Sequence, residues 1–256
     1  MNIPSRLLSF YSTEIHLPAS MLSRRVRTAS RRLRGKPANT AGPMRLPAAS
    51  WRACTPARPV HLHEPEHRSG NVRLSELSIL ARFAADCPPE TVLFEIGTFD
   101  GRTALNLALN APQSCRVVTL DLPPETPTRH EVVSKERKYI DKPVSGGRIA
   151  EAVDRFPSLK TRVEQQYGDS ATFNDDPYAA VCSLVFVDGS HAYEYARCDS
   201  ATARRLVRPG GVIIWHDYGV WDGVTQALHE LEDEHDLGLT HIKGTSLVCW
   251  RAPADG

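Results

Sequence analysis

The chain has 256 residues, is 41% hydrophobic and 24% charged, and carries a formal net charge of +1. That length holds one large α/β domain or two small ones, and the composition is that of a soluble globular protein. There is no long apolar run for a membrane span, and the six dispersed cysteines form no Cys-x-x-Cys pair, which argues against structural zinc and against a disulfide framework.

The near-zero net charge hides an asymmetry. Residues 1–60 hold eleven Arg or Lys and one acid, Glu14, leaving 20 basic and 29 acidic residues for 61–256. The chain therefore reads as a basic segment, residues 1–70, ahead of an acidic domain, residues 71–256. Arg24, Arg25, Arg27, Arg31, Arg32, Arg34 and Lys36 lie among Ser, Ala, Pro and Gly without an apolar period, so disorder is expected there. The Leu7–Tyr11 patch is too short for a secretory signal, and a cytoplasmic location is expected. The arginine-rich start also has the composition of an organelle transit peptide, of a nucleic-acid arm, or of an extension ahead of a later start such as Met44. A solvated tail without specific function outweighs these.

In chain order, Leu77, Leu80, Ala81 and Ala84 mark an amphipathic helix that opens the domain. Next comes TVLFEIGTFDGRTA, residues 91–104, where a short β-prone run carries Glu95 at its end. Gly97 lets the chain turn and bare backbone meet a ligand, and Gly101 lets the following helix pack on the strand. That helix, signalled by Ala104, Leu105, Leu107 and Ala108, presents free N–H groups suited to an anionic group. Further strands are expected at Arg116–Leu120, Arg162–Tyr167, Ser183–Val187 and Val212–Trp215, with helices between most of them. Such alternation implies a parallel sheet covered on both faces. Pro209-Gly210-Gly211 stops a helix before the fifth strand, and Val224, Ala227, Leu228 and Leu231 stripe another. The chain closes with Leu239–Ile242 and Leu247–Trp250, which read as a hairpin about Lys243–Ser246. The stretch from Pro123 to Lys160 reads as a loop plus a helix able to cover a substrate.

The spacing Glu-x-Gly-x-x-x-Gly is not the Gly-x-Gly-x-x-Gly of dinucleotide enzymes, which disfavours a NAD-dependent oxidoreductase. It resembles the first motif of class I S-adenosylmethionine-dependent methyltransferases. The resemblance implies a Rossmann-like, doubly wound, mostly parallel seven-stranded sheet with an antiparallel last strand. It also implies that Glu95, Gly97, Thr98, Phe99 and Gly101 surround the methionine end of S-adenosylmethionine. Asp121 ends the second strand, where an acid can bind ribose hydroxyls, with turn capping ahead of Pro123 as the weaker alternative. Gly168-Asp169-Ser170 resembles the segment that contacts the adenine amino group.

The fourth strand runs into Asp188-Gly189-Ser190-His191, and the fifth into His216-Asp217-Tyr218, both at carboxyl ends where open α/β sheets bind ligands. This arrangement resembles the small-molecule and sugar O-methyltransferases of the methyltransferase family 24 type. It implies Asp188 and His191 as catalytic residues, His191 being the base for a substrate hydroxyl. Asp188, His216 and Asp217 are the candidate ligands for Mg²⁺ or Mn²⁺. Those enzymes often carry two adjacent carboxylates after the fifth strand, whereas here His216 precedes Asp217, which shifts preference towards Mn²⁺, Zn²⁺ or another transition metal. The expected partner is a small-molecule acceptor, with no membrane, with nucleic acid disfavoured and with a homo-oligomer left open. The alternatives are a nucleic-acid methyltransferase using the basic arm and a non-catalytic cofactor-binding protein. Asp175-Asp176-Pro177-Tyr178 superficially resembles the Asp-Pro-Pro-Tyr of base-amine enzymes but lies before the fourth strand, on the wrong side for that role.

Overall fold

The computed structural model describes residues 43–63, 72–142 and 144–254. The Arg24–Lys36 cluster therefore lies outside the described residues. The strands are β1 (Ala48–Ala49), β2 (Val92–Ile96), β3 (Arg116–Asp121), β4 (Val163–Tyr167), β5 (Cys182–Val187), β6 (Val207–Trp215), β7 (Thr240–Ile242) and β8 (Val248–Arg251). The helices are α1 (Trp51–Cys54), α2 (Leu74–Ala85), α3 (Arg102–Asn110), α4 (Arg137–Ile140), α5 (Gly147–Ala152), α6 (Leu159–Arg162), α7 (Tyr193–Leu206) and α8 (Asp222–His235).

One sheet runs in the order β1-β7-β8-β6-β5-β2-β3-β4. Strands β2 to β6 are parallel, while β8 runs antiparallel to both β6 and β7. The antiparallel last strand is as expected, but the sheet has eight strands rather than seven. The eighth is β1, whose two alanines pair parallel to β7. Two residues carry no readable period. Backbone bonds from His241 N to Pro47 O at 2.8 Å and from Lys243 N to Ala49 O at 2.9 Å hold β1 in place.

The expectation of disorder over residues 1–70 is thereby corrected for 43–63. Leu46, Trp51, Val60 and Leu62 are buried, and Asn106 and Asn110 of α3 hydrogen-bond both backbone groups of His63 and His61. Basic composition hid these few apolar anchors.

Strand residues divide by period 2 between two apolar cores. Phe94, Ile96, Val118, Val185 and Trp215 meet Ala203, Leu206, Leu228 and Leu231 of α7 and α8 on one face. Leu93, Val117, Phe186 and Ile214 meet Ile79, Leu80 and Leu105 of α2 and α3 on the other. Helix α2 is buried on a second side as well, because Leu77 and Ala81 pack on Val60 and Leu62. At β6, the preceding helix ends at Leu206, three residues before the Pro-Gly-Gly expected to stop it, and the register with β5 shifts between Cys182 and Leu184.

From β2 the chain winds outward through β3 to β4, then returns to place β5 on the other side of β2. The reversal leaves a crevice at the carboxyl ends of β2 and β5, which is where ligands bind in such sheets.

Candidate active site

Gly97 sits at that reversal with φ +103°, and a Cβ there would lie 2.0 Å from the Asp188 carbonyl oxygen. Its lack of a side chain thus lets the β2 and β5 turns close on each other. Gly101 caps α3 with φ +89°, and a Cβ would strike Ile149 at 2.9 Å. Contrary to expectation, this glycine makes room for the covering segment rather than for the strand, since Gly146 and Arg148 donate backbone bonds to Phe99 and Asp100.

A cleft of about 1060 Å³ opens here, lined by Gly97, Thr98, Phe99, Asp121, Asp169 and Ser170, and also by Asp188 and His191. Two expected contacts, Glu95 and Gly101, stand behind the lining. Glu95 is inside β2 rather than beyond it and is fully buried. Its Oε2 accepts from Thr119 Oγ1 at 2.5 Å, and its Oε1 has no partner. Burial pushes this carboxyl well above its usual range; the Thr119 bond opposes the shift, and the charges of Asp188, Asp121 and Asp100 reinforce it.

Asp121 reaches the cleft but is already engaged, with Lys142 Nζ at 2.6 Å and the Ser145 hydroxyl donating to it. Asp169 accepts from the backbone N–H of Arg129 at 2.6 Å and of Ala171 at 3.0 Å. The cover thus closes over the cleft through Lys142, Ser145 and Arg129, none of which has a distinguishing sequence pattern.

On the β5 and β6 side, His191 lies between two carboxylates. Its Nε2 is 2.6 Å from Asp217 Oδ2, and its Nδ1 and backbone N–H meet Glu136, which also accepts from Ser190 Oγ at 2.9 Å. Trp221 stacks on the imidazole with ring centroids 4.4 Å apart. Burial opposes a charge on His191, but the hydrogen bonds of Asp217 and Glu136 outweigh it and raise the imidazole to about 10. Asp217 is held far below its usual range by His216 and His191 despite its burial. It occupies the left-handed region at φ +65°, a strained setting that Asp tolerates better than most residues.

The expected metal set is rearranged. His216 is turned to Asp188 Oδ1 at 2.8 Å and to Glu76 Oε2 at 3.4 Å, so both ring nitrogens are engaged. The donors lying within 4.8 Å of one another are those of Asp188, His191 and Asp217. Two carboxylates and an imidazole suit a divalent first-row ion, and Glu136 on Nδ1 is the kind of outer partner that orients a ligating histidine. The cleft also suits a cationic cofactor, because Asp100, Asp121, Asp169 and Asp188 line it. Glu136, Glu76 and Trp221 escaped sequence reasoning, since each works across a long separation and lacks a motif.

A parallel sheet with an antiparallel last strand, a glycine turn at its switch point and an acidic cleft beside it define the class I S-adenosylmethionine-dependent methyltransferases. Residues 94–218 match the family model of a methyltransferase domain, so this segment of the chain is such a domain. Among solved structures it is similar to an S-adenosylhomocysteine-bound methyltransferase of Podospora anserina, at 20% identity over 73% of this chain and 80% of that one, TM-score 0.53. It is similar to the O-methyltransferase NovP, at 17% identity over 71% of this chain and 81% of that one, TM-score 0.57. It is also similar to the O-methyltransferase TomG of Streptomyces achromogenes, solved with S-adenosylmethionine, at 19% identity over 74% and 84%, TM-score 0.51. No curated protein matches the chain. No helix among the described residues is long and apolar enough to cross a membrane.

Proposed function

We propose that the protein transfers the methyl group of S-adenosylmethionine to a hydroxyl of a small molecule. The carrying observation is the contact of Gly97 with Asp188, which sets the cofactor turn directly against the residues able to handle a proton. NovP and TomG, two of the similar structures, are O-methyltransferases, and this supports oxygen as the acceptor atom.

In the proposed reaction the acceptor oxygen attacks the sulfonium methyl, the new O–C bond forms as the S–C bond breaks, and S-adenosylhomocysteine leaves. The protein aligns the two reactants in one crevice and removes the hydroxyl proton. The aspartates that line the cleft favour the positive methionine end. The acceptor enters beside the hollow under the cover, lined by Glu131, Val132, Arg137 and Tyr193. Asp188, His191 and Asp217 would hold a Mg²⁺ or Mn²⁺ ion, whose chemistry is to lower the pKa of an acceptor hydroxyl and fix its orientation. Glu136 faces Nδ1 of His191 and Asp217 faces Nε2, so the ring is held from both sides.

Calorimetry with S-adenosylmethionine and with NAD, each with and without Mn²⁺, tests the cofactor, and a hydroxyl library assayed for methyl transfer tests the reaction. Binding of NAD in place of S-adenosylmethionine would overturn the proposal, as would cofactor binding with no transfer to any hydroxyl.

A further inference from the structure

Glu76 stands at the third position of α2, where such an acid commonly caps a helix, and its Oε2 does accept from Arg73 N at 2.9 Å. Capping alone does not account for its surroundings. The side chain is wholly buried and points across the molecule, where Oε1 accepts from Ser246 N at 2.7 Å and Ser246 Oγ at 2.9 Å. Its Oε2 also faces His216 Nε2 at 3.4 Å. Burial works against this charge, but His216, Arg73 and Ser246 together hold the carboxyl down at about 2.

His216 therefore spans two acids, with Nδ1 at 2.8 Å from Asp188 Oδ1 on its other side. One ring nitrogen faces each acid, so the ring is held from both sides. Glu76 and Ser246 both lie outside the matched segment 94–218.

The geometry points to Glu76 as a positioning residue that fixes the His216 ring, and through it the Asp188 carboxylate, from outside the cleft. The role in turnover rests on the methyl-transfer reading, whereas the orientation of His216 does not. In this chain His216 then serves as a buried partner of Asp188, and His191 takes the place beside Asp188 and Asp217. The residue that departs from the adjacent-carboxylate pattern is matched by an acid, Glu76, on the neighbouring helix.

The test is nuclear magnetic resonance of the cofactor-free full chain with ¹⁵N-labelled histidine, combined with kinetics of Glu76→Gln. The ring ¹⁵N signals of His216 are expected to shift in Glu76→Gln, most at Nε2, which faces Glu76. For that variant kcat is expected to fall about tenfold to a hundredfold while the S-adenosylmethionine Kd stays within about twofold, as for a displaced reacting group. If Glu76→Gln fails to fold, Glu76→Asp is the second variant, and unshifted His216 ring signals with unchanged kcat in it overturn the proposal. It is equally overturned if folded Glu76→Gln loses thermal stability but keeps its kcat and its His216 ring signals, which is the behaviour of a helix cap. Failure of S-adenosylmethionine to bind the wild type would instead count against the methyl-transfer reading and leave the His216 signals to decide the orientation.

Discussion

As the proposed base, His191 meets conflicting demands, because a base must be neutral to accept a proton while two carboxylates hold this ring charged. Its imidazole lies at about 10, with Asp217 and Glu136 outweighing burial, so at neutral pH the cation-free enzyme carries it protonated. Turnover of chelator-treated enzyme should therefore rise with pH through the alkaline range, since only the neutral ring accepts a proton. Glu136→Gln removes one of the acids that stabilise the charge, so the rise should move to lower pH; a kcat–pH profile displaced the other way would contradict this account. His191→Ala should lower kcat by about 10²–10⁴-fold, the usual contribution of a positioned base. Calorimetry should show S-adenosylmethionine still bound, and unchanged turnover would remove His191 from the mechanism.

At the scale of elements, the turn after β2 and the turn after β5 form one unit. Gly97→Ala would force a Cβ to within 2.0 Å of the Asp188 carbonyl oxygen at φ +103°, and neither backbone can yield without moving the other strand. A loss of more than ~2 kcal/mol in denaturant unfolding is expected, together with weakened cofactor binding. Gly147→Ala is the control, because its Cβ would meet only Val144 at 3.7 Å, at the start of a helix, and it should be close to neutral. Strands β2 and β5 were legible because apolar runs with no polar alternation must be buried on both faces, and the terminal hairpin because a Lys-Gly turn separates its two short runs. Their places at strand ends singled out Asp188, His191 and Asp217, but His216 rather than His191 was grouped with the two acids as a metal ligand. The β1 strand was not, because two alanines have no period and their hold depends on partners some 190 residues away. Nor was the engagement of His216 by Glu76, which is separated from it by 140 positions and packs against it only once α2 has crossed the sheet.

At the scale of the whole molecule, the interior carries an acid that the proposed chemistry does not use. Asp199 is fully buried on α7, and neither carboxylate oxygen has a hydrogen-bond partner. Burial raises it to about 7, with an interaction from Ser170 pulling against the shift and the charge of Asp169 adding to it. In the unfolded chain an aspartate titrates near ~3.9, so between these two values the folded state holds a proton that the unfolded state has released. Stability from this residue must then fall as pH rises from about 4 to about 7 and stay low above that. Glu76, held at about 2, has the opposite sign and weakens the fold only in strong acid, so the two contributions occupy different pH windows. Asp199→Asn keeps the shape without the charge. It should match the wild type near pH 4 and exceed it at pH 8 by a margin on the order of 4 kcal/mol at most, from ~1.4 kcal/mol per pKa unit. Urea unfolding of both proteins across that range isolates the effect, and a difference independent of pH would refute it. A Cβ on Gly189 would lie 2.8 Å from Asp199 Oδ2, so the charge that forms as pH rises appears directly behind the Asp188–Gly189 turn. The variant should accordingly lose any change in S-adenosylmethionine affinity that the wild type shows between pH 6 and pH 8.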